Sequence, residues 1–252
     1  MHLTGRDVAT TKVVVNGAGA AAIATIKLFH AYGVRKENIV MCDSNGVIYK
    51  GRRSINQWKE EFATDRECRT LHDALVGADC FIGVSVANAL KKEDVKLMAK
   101  KPMIFAMANP VPEIDPEQAR QACPDAIIAT GRSDYTNQVN NVMCFPFLFR
   151  GTLDVQSRAI NYEMKMACSK ALAELARENV PQSVSDAYGG KKFEFGTEYI
   201  VPTPFDPRLM TTIPLAVAKA AMETGVATKQ ITDWSAYRAE LQARWEEEQK
   251  EK

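Results

Sequence analysis

Residues 12–22 read KVVVNGAGAAA, and the rest of the fold can be worked out from this stretch. Its first part, Lys12–Asn16, is β-branched and ends at a glycine, which predicts a buried strand. A helical pattern follows over Ala20–Tyr32, and Gly33 is placed to end it. The pattern Gly-x-Gly-x-x-Ala at residues 17–22 therefore falls at a strand-to-helix turn.

Strand and helix patterns continue to alternate through the first half of the chain. Further strands are predicted at Ile39–Cys42, Cys80–Val84, Met103–Ala106 and Ala126–Thr130. Further helices are predicted at Leu71–Val76, Glu93–Ala99 and Pro116–Ala122. Strands that alternate with helices at this spacing need right-handed crossovers, so we predict a doubly wound, mostly parallel α/β sheet of the Rossmann type.

After Asn141 the sequence pattern changes from alternating strands and helices to helices and loops. Helices are predicted at Glu163–Glu178, Ile213–Thr224 and Trp234–Glu247, separated by a loop-rich stretch at Ser183–Pro207. We expect residues 1–237 to form one α/β domain that includes these added helices from about residue 160. Residues 238–252 are expected to form a polar helical tail.

Composition and charge exclude several classes of protein. The formal net charge of +1 gives no reason to expect a nucleic-acid partner. No apolar run approaches the roughly 20 residues that a membrane span needs, so no membrane partner is expected either. The 6 cysteines form no CxxC pair and there is no signal-peptide pattern, which favours reduced thiols and a cytoplasmic location. The 3 histidines are too dispersed for a histidine-based zinc site.

The glycine turn carries the first functional hypothesis, because it has the form and position of a dinucleotide-binding fingerprint. Gly17 permits the tight turn, Gly19 lets a pyrophosphate approach the backbone, and Ala22 lets the helix pack closely on the strand. The free N–H groups and the helix dipole then attract the phosphates. The predicted cofactor-binding run is Gly17, Ala18, Gly19, Ala20, Ala21 and Ala22.

Asp43 supports this hypothesis, since it ends the second predicted strand 21 residues after Ala22. An acidic residue at about this distance binds the adenosine ribose in such domains. Alternatively, Asp43 only ends the strand and begins a turn. An aspartate here favours NAD, but Lys50, Arg52 and Arg53 follow closely and could hold the 2′-phosphate of NADP. The choice between NAD and NADP stays open.

Further segments resemble a known family. They are Met41–Arg52 (MCDSNGVIYKGR), Cys80–Leu90 (CFIGVSVANAL), Phe105–Glu113 (FAMANPVPE), Gly131–Asn141 (GRSDYTNQVNN) with Phe145-Pro146, and Glu198–Leu209 (EYIVPTPFDPRL). Together they resemble malic enzymes of the short bacterial type, over a range from about Thr11 to Tyr237. The ANPVPE and QVNNV segments are more specific than the glycine turn.

The resemblance implies an activity and further site residues. Malic enzymes oxidise malate with NAD or NADP and decarboxylate it to pyruvate and CO2, using Mg²⁺ or Mn²⁺. Asn109 matches a family asparagine on the substrate and nicotinamide side of the cleft, and Asn141 matches one that binds substrate. Val84 and Ser85 are expected beneath the nicotinamide. The alternatives are a turn before proline for Asn109, a helix cap for Asn141, and bonding to backbone for Ser85.

The resemblance also implies what to expect of this chain by itself. The family's acid–base tyrosine and lysine and its acidic metal ligands belong to a segment before the glycine turn, where Met1–Lys12 offers no tyrosine and only Asp7 as an acid. We therefore expect no catalytic residue and no metal ligand here. The chain should bind nucleotide without turning over malate. Homo-oligomers are expected for the complete enzyme, and a phosphotransacetylase-like domain could follow residue 252.

Two other readings remain open. One is a stand-alone NAD(P)-binding module that regulates a partner, although the start so close before the first strand favours an excised domain. The other is a different Rossmann dehydrogenase, such as an amino-acid dehydrogenase. Tyr135 would be its best candidate catalyst within this chain.

Overall fold

The structure, a computed structural model, describes residues 2–53 and 55–250. It divides into two compact units, residues 1–139 and 140–252. The division lies two residues before Asn141, after which the sequence pattern changes. Residues 251–252 of the predicted tail lie outside the described residues.

The first unit is built on a six-stranded sheet with the order β3-β2-β1-β4-β5-β6. The strands are β1 (Val13–Asn16), β2 (Ile39–Asp43), β3 (Gly46–Val47), β4 (Cys80–Gly83), β5 (Met103–Ala106) and β6 (Ile127–Thr130). The pairs from β2 through β6 are parallel, whereas the short β3 pairs antiparallel with β2. The chain order reverses between β1 and β4, so the predicted doubly wound sheet is confirmed.

Helices accompany the strands of this unit. They are α1 (Ala20–Ala31), α2 (Gln57–Glu60), α3 (Leu71–Leu75), α4 (Lys92–Val95) and α5 (Pro116–Ala122), with a 3-10 turn at Lys36–Asn38. The helix predicted over Glu93–Ala99 was wrong in its bounds, since α4 ends at Val95 after one turn. The four-residue α2 was not predicted, because so short a helix shows no periodicity.

The core of the first unit lies on both faces of the sheet. On β1, Val14 packs into one apolar cluster while Val13 and Val15 pack into the other. All three valines are at most 2% exposed. This burial on both faces explains why the strand reads as an unbroken apolar run.

The second unit is helical. Its helices are α6 (Phe145–Asp154), α7 (Tyr162–Leu175), α8 (Gln182–Ala187), α9 (Leu209–Glu223) and α10 (Trp234–Lys250), with a 3-10 turn at Asn141–Met143. The predicted helices correspond to α7, α9 and α10. Helix α6 was missed, and α8 begins at Gln182 and overlaps the start of the stretch predicted as loop-rich. Gly151 of α6 lies against Pro214 of α9, where a Cβ would overlap the backbone, so these two helices cross closely.

Candidate nucleotide-binding site

A cleft of about 700 Å³ opens at the carboxyl ends of β1, β2 and β4. In a doubly wound sheet this is where ligands bind, because the connections that leave the neighbouring strands β1 and β4 run to opposite faces of the sheet. The cleft is lined by Asn16, Gly17, Ala18, Gly19, Asp43, Ser44, Asn45, Gly46, Lys59, Arg69, Thr70, Leu71, Ser85, Val86 and Ala89. The glycine turn and Asp43 are far apart in the sequence, but both line this cleft.

The first glycine of the turn has no room for a side chain. Gly17 has a φ of +122°, and a Cβ there would overlap the carbonyl oxygen of Val84. Its N–H donates to the carbonyl of Cys42 at 2.9 Å, which anchors the turn to β2. Gly17 is therefore required by the turn itself.

Gly19 is open on the side where a side chain would be. No atom of the described residues lies within 4 Å of a Cβ built on it. Gly19 is the N-cap residue of α1 and supplies no side-chain cap, and the first bond of the helix runs from Ile23 N–H to the Gly19 carbonyl at 3.1 Å. Among the described residues, nothing accepts from the N–H groups of Ala20 and Ala21. The helix end is thus free to receive the phosphates of a dinucleotide.

Asp43 lies at the other end of this arrangement, with a side chain that is 8% exposed. Arg52 donates to both carboxylate oxygens, at 2.8 and 2.6 Å, and Lys59 donates to Oδ2 at 2.8 Å. Burial by itself would raise the pKa of Asp43, but the hydrogen bonds from Arg52 and Lys59 outweigh burial and lower the pKa to about 2. Asp43 also accepts from the N–H of Asn45 at 2.9 Å, so it forms the turn that the alternative reading proposed.

The cations beside Asp43 match those singled out in the sequence only in part. Arg52 contacts Asp43, as just described, whereas Lys50 pairs with Asp65 at 2.6 Å on the surface and Arg53 is exposed. Lys59 was missed by sequence reasoning. It lies on α2, which begins after Asn56 because the Asn56 side chain accepts from the Lys59 N–H at 3.0 Å.

A second carboxylate lies behind the β4 edge of the cleft. Glu113 is fully buried, and its Oε1 accepts from the N–H of Ser85 at 2.9 Å and from the Ser85 hydroxyl at 3.1 Å. Its Oε2 accepts from the N–H of Ala108 at 2.9 Å. The Asn16 amide donates to the Ser85 hydroxyl at 2.9 Å, which joins the end of β1 to the same network. Ser85 therefore binds side chains, not only backbone.

Gly83 makes room for this carboxylate. A Cβ on Gly83 would lie 2.6 Å from each carboxylate oxygen of Glu113, closer than van der Waals contact allows. Among the described residues, no Lys, Arg or His forms an ion pair with Glu113. The sequence segment containing Glu113 was recognised as specific, but nothing in it indicated that its last residue would turn inward.

The remaining predicted residues lie outside the cleft lining. Val84 is half-buried against Gly17. Asn109 is exposed after β5, and its bond to Pro110 is cis. Asn141 is exposed at the start of the 3-10 turn of the second unit, where Asn140, and not Asn141, supplies the cap. Tyr135 lies beside Arg132, with the guanidinium 5.4 Å from its ring centroid. The roles predicted for Asn109 and Asn141 stay predictions.

Two other features are absent from the described part of the chain. In residues 2–53 and 55–250, no three His, Cys, Asp or Glu side chains are grouped so as to hold a metal ion. No helix in the described part of the chain has the length and apolarity needed to cross a bilayer.

The fold and the cleft define a dinucleotide-binding domain of the doubly wound class. Residues 1–185 match the family model described as the NAD binding domain of malic enzyme. The chain belongs to this family. It is 58% identical over 245 residues to an NADP-dependent malic enzyme of Rhizobium meliloti, and 52% identical over 238 residues to an NAD-dependent malic enzyme of the same organism.

The structural comparison agrees with the sequence comparison. A crystal structure of the Entamoeba histolytica malic enzyme superposes with a TM-score of 0.85 at 32% identity, and the match covers 99% of this chain and 51% of that one. The two Rhizobium relatives are matched over 97% and 94% of this chain but over only 32% and 31% of their own lengths. The chain thus spans about a third of those relatives.

Proposed function

We propose that the chain binds NADP or NAD in the cleft and forms the nucleotide-binding part of a malic enzyme. In this proposal the longer protein oxidises malate and decarboxylates it to pyruvate and CO2 with a divalent cation. The observation that carries the proposal is the uncapped N-terminus of α1, which opens beside Gly19 into the cleft that Asp43 also lines. When bound, the nicotinamide accepts the hydride from the substrate.

The cleft accounts for three parts of the cofactor. The pyrophosphate lies at the N–H groups of Ala20 and Ala21, where the helix dipole favours an anion. The adenosine ribose lies beyond it at Asp43, and the nicotinamide lies on the opposite side, near Ser85. This order follows from the position of the switch point between β1 and β4.

We infer that the ribose end prefers NADP. Two cations, Arg52 and Lys59, meet the single carboxylate of Asp43, which leaves one net positive charge beside the expected position of the ribose 2′ oxygen. A 2′-phosphate neutralises that excess, and guanidinium groups bind phosphate through paired hydrogen bonds. The relative at 58% identity carries the name NADP-dependent, which agrees with this preference.

Calorimetric titration with NADP⁺ and NAD⁺ tests the proposal. We expect Arg52→Gln to lower NADP⁺ affinity about tenfold, the equivalent of about 1.4 kcal/mol, while NAD⁺ affinity changes little. The matched control is Lys50→Gln, because Lys50 pairs with Asp65 on the surface and does not line the cleft. Equal losses for both nucleotides in Arg52→Gln would contradict the NADP preference. Failure of both nucleotides to bind the unaltered chain would refute the function itself.

A further inference from the structure

Glu113 is a buried carboxylate that the proposed nucleotide site does not use directly. It is 0% exposed, and in the described part of the chain it accepts from three neutral donors: the N–H and hydroxyl of Ser85 and the N–H of Ala108. A buried ionised carboxylate is costly unless it is hydrogen-bonded or paired with a cation. These three bonds stabilise the carboxylate, but they leave its negative charge without a positive partner in the described part of the chain.

The bonds to Glu113 tie together the ends of two neighbouring strands. Ser85 follows β4 and Ala108 follows β5, so each carboxylate oxygen holds one of these two loops. The backbone of the Glu113 segment adds a third tie, since the N–H of Leu90 donates to the Glu113 carbonyl at 2.9 Å. The side chain therefore sets the distance between the β4 and β5 loops at the edge of the cleft.

Gly83, which has no side chain, leaves space for this carboxylate. Any Cβ there would overlap the Glu113 carboxyl group. The position therefore requires glycine, although glycine weakens the interior of a strand. Asn16, which lines the cleft, donates to the Ser85 hydroxyl and extends the network to β1. Neutral groups would be enough to hold the β4 and β5 loops together, but this hydrogen-bond network contains a charged carboxylate.

We propose that Glu113 is a positioning residue that holds the β4 and β5 loops against the nicotinamide and favours its oxidised, cationic form. This inference rests on the proposed function. The oxidised nicotinamide carries a positive charge and the reduced ring is neutral. A fixed carboxylate behind Ser85 attracts the oxidised ring and not the reduced ring. Because the dielectric around a buried group is low, this attraction is larger than it would be in water.

Titrations with the oxidised cofactor, the reduced cofactor and ADP-ribose measure this effect, because ADP-ribose lacks the nicotinamide. In Glu113→Gln we expect the affinity for NAD(P)⁺ to fall about tenfold more than that for NAD(P)H, the ratio expected for unit charges about 10 Å apart at an effective dielectric near 20. ADP-ribose affinity should not change. Glu117→Gln, on the exposed face of α5, is the matched control and should leave all three affinities unaltered.

The outcomes separate the two proposals. If the unaltered chain binds neither NAD(P)⁺ nor ADP-ribose, the proposed function fails. If it binds both and Glu113→Gln lowers all affinities equally, or none, the charge effect at Glu113 is refuted.

A second variant keeps the inference testable if Glu113→Gln does not fold. Ser85→Ala removes one hydroxyl from the cleft lining, so both affinities can fall, but it leaves the carboxylate and its two N–H donors, and the ratio of oxidised to reduced affinity should therefore stay within a few-fold of its unaltered value. A shift of that ratio in Ser85→Ala by as much as tenfold would assign the discrimination to the hydroxyl and overturn the role of Glu113. Thermal unfolding of each variant checks that its fold is intact.

Discussion

Two carboxylates, Asp43 in the cleft lining and Glu113 buried behind the β4 edge of the cleft, are stabilised in opposite ways. Asp43, at the β2 end, is bound by Arg52 and Lys59, two cations from the segment that follows β3. Among the residues that the structure describes, Glu113, behind the β4 end, is bound by N–H and O–H groups that carry no charge. The first carboxylate is neutralised within the fold and leaves an excess of positive charge, whereas the second leaves an excess of negative charge.

The difference matches the two ends of a nicotinamide dinucleotide. A 2′-phosphate on the adenosine ribose is an anion, and the oxidised nicotinamide is a cation. The positive excess at β2 and the negative charge behind β4 therefore complement the cofactor at both ends, while the helix N-terminus between them takes the pyrophosphate. Separate substitutions at the β2 end and at the β4 end test the two charges one at a time.

The largest effect is expected at the β4 end, from Gly83→Ala. The new methyl group would overlap the Glu113 carboxylate, and we expect a loss of about 3 kcal/mol in the free energy of unfolding, measured by denaturant titration. The loss should shrink in the Gly83→Ala, Glu113→Ala double variant, because the colliding group is then absent. Gly19→Ala is the control for stability, since a Cβ there meets nothing within 4 Å. Equal losses with and without Glu113 would contradict the close packing of the two residues.

At the β2 end the expected effect is smaller and depends on pH. The pKa of Asp43 is lowered from 3.8 to about 2, because hydrogen bonds from Arg52 and Lys59 outweigh the opposing effect of burial. A lowered pKa stabilises the fold above the unfolded value near 4, and this contribution is lost as the pH falls from about 4 towards 2. Asp43→Asn should therefore cost about 2 kcal/mol at pH 7, and most of the difference from the unaltered chain should be lost by pH 2.

Denaturant titrations of both proteins between pH 2 and 7 measure that difference. Asp65→Asn is the matched control, because Asp65 pairs with Lys50 on the surface, where ion pairs contribute little. A difference that does not depend on pH would mean that Asp43 acts through its shape and not through its charge.

The smallest effect is expected at the cap that holds Lys59 near Asp43. Asn56→Ala removes the side-chain acceptor of the Lys59 N–H and should cost about 1 kcal/mol. Hydrogen exchange over Gln57–Glu60 should rise in this variant and not in Gln57→Ala, which changes an exposed residue of the same helix. Unaltered exchange in Asn56→Ala would show that tertiary contacts alone hold α2.

Sequence reasoning worked where the signal was local. The strands β1 and β5 were predicted within one residue of their bounds, because buried parallel strands read as short apolar runs between turn signals. The glycine turn was also predicted from a local signal, because Gly17 needs a backbone conformation that few other residues adopt. Helix α6 was missed because its sequence begins with Phe-Pro-Phe and contains Gly151, which weakens any helical pattern.

The partners of the two carboxylates could not be predicted in this way. Lys59 reaches Asp43 from a four-residue helix, and Glu113 reaches Ser85 across 28 residues of chain. Such pairs form only after the strands have taken their order in the sheet, and a single sequence carries no record of that approach.

The amino-acid sequence alone determined the alternating strands and helices, the turn at Gly17 and the likeness to malic enzymes, because these depend on neighbouring residues and on motifs. The tertiary structure added the charges at the two ends of the cleft. They depend on which distant side chains meet in space, and burial there strengthens every charge that the fold leaves uncompensated.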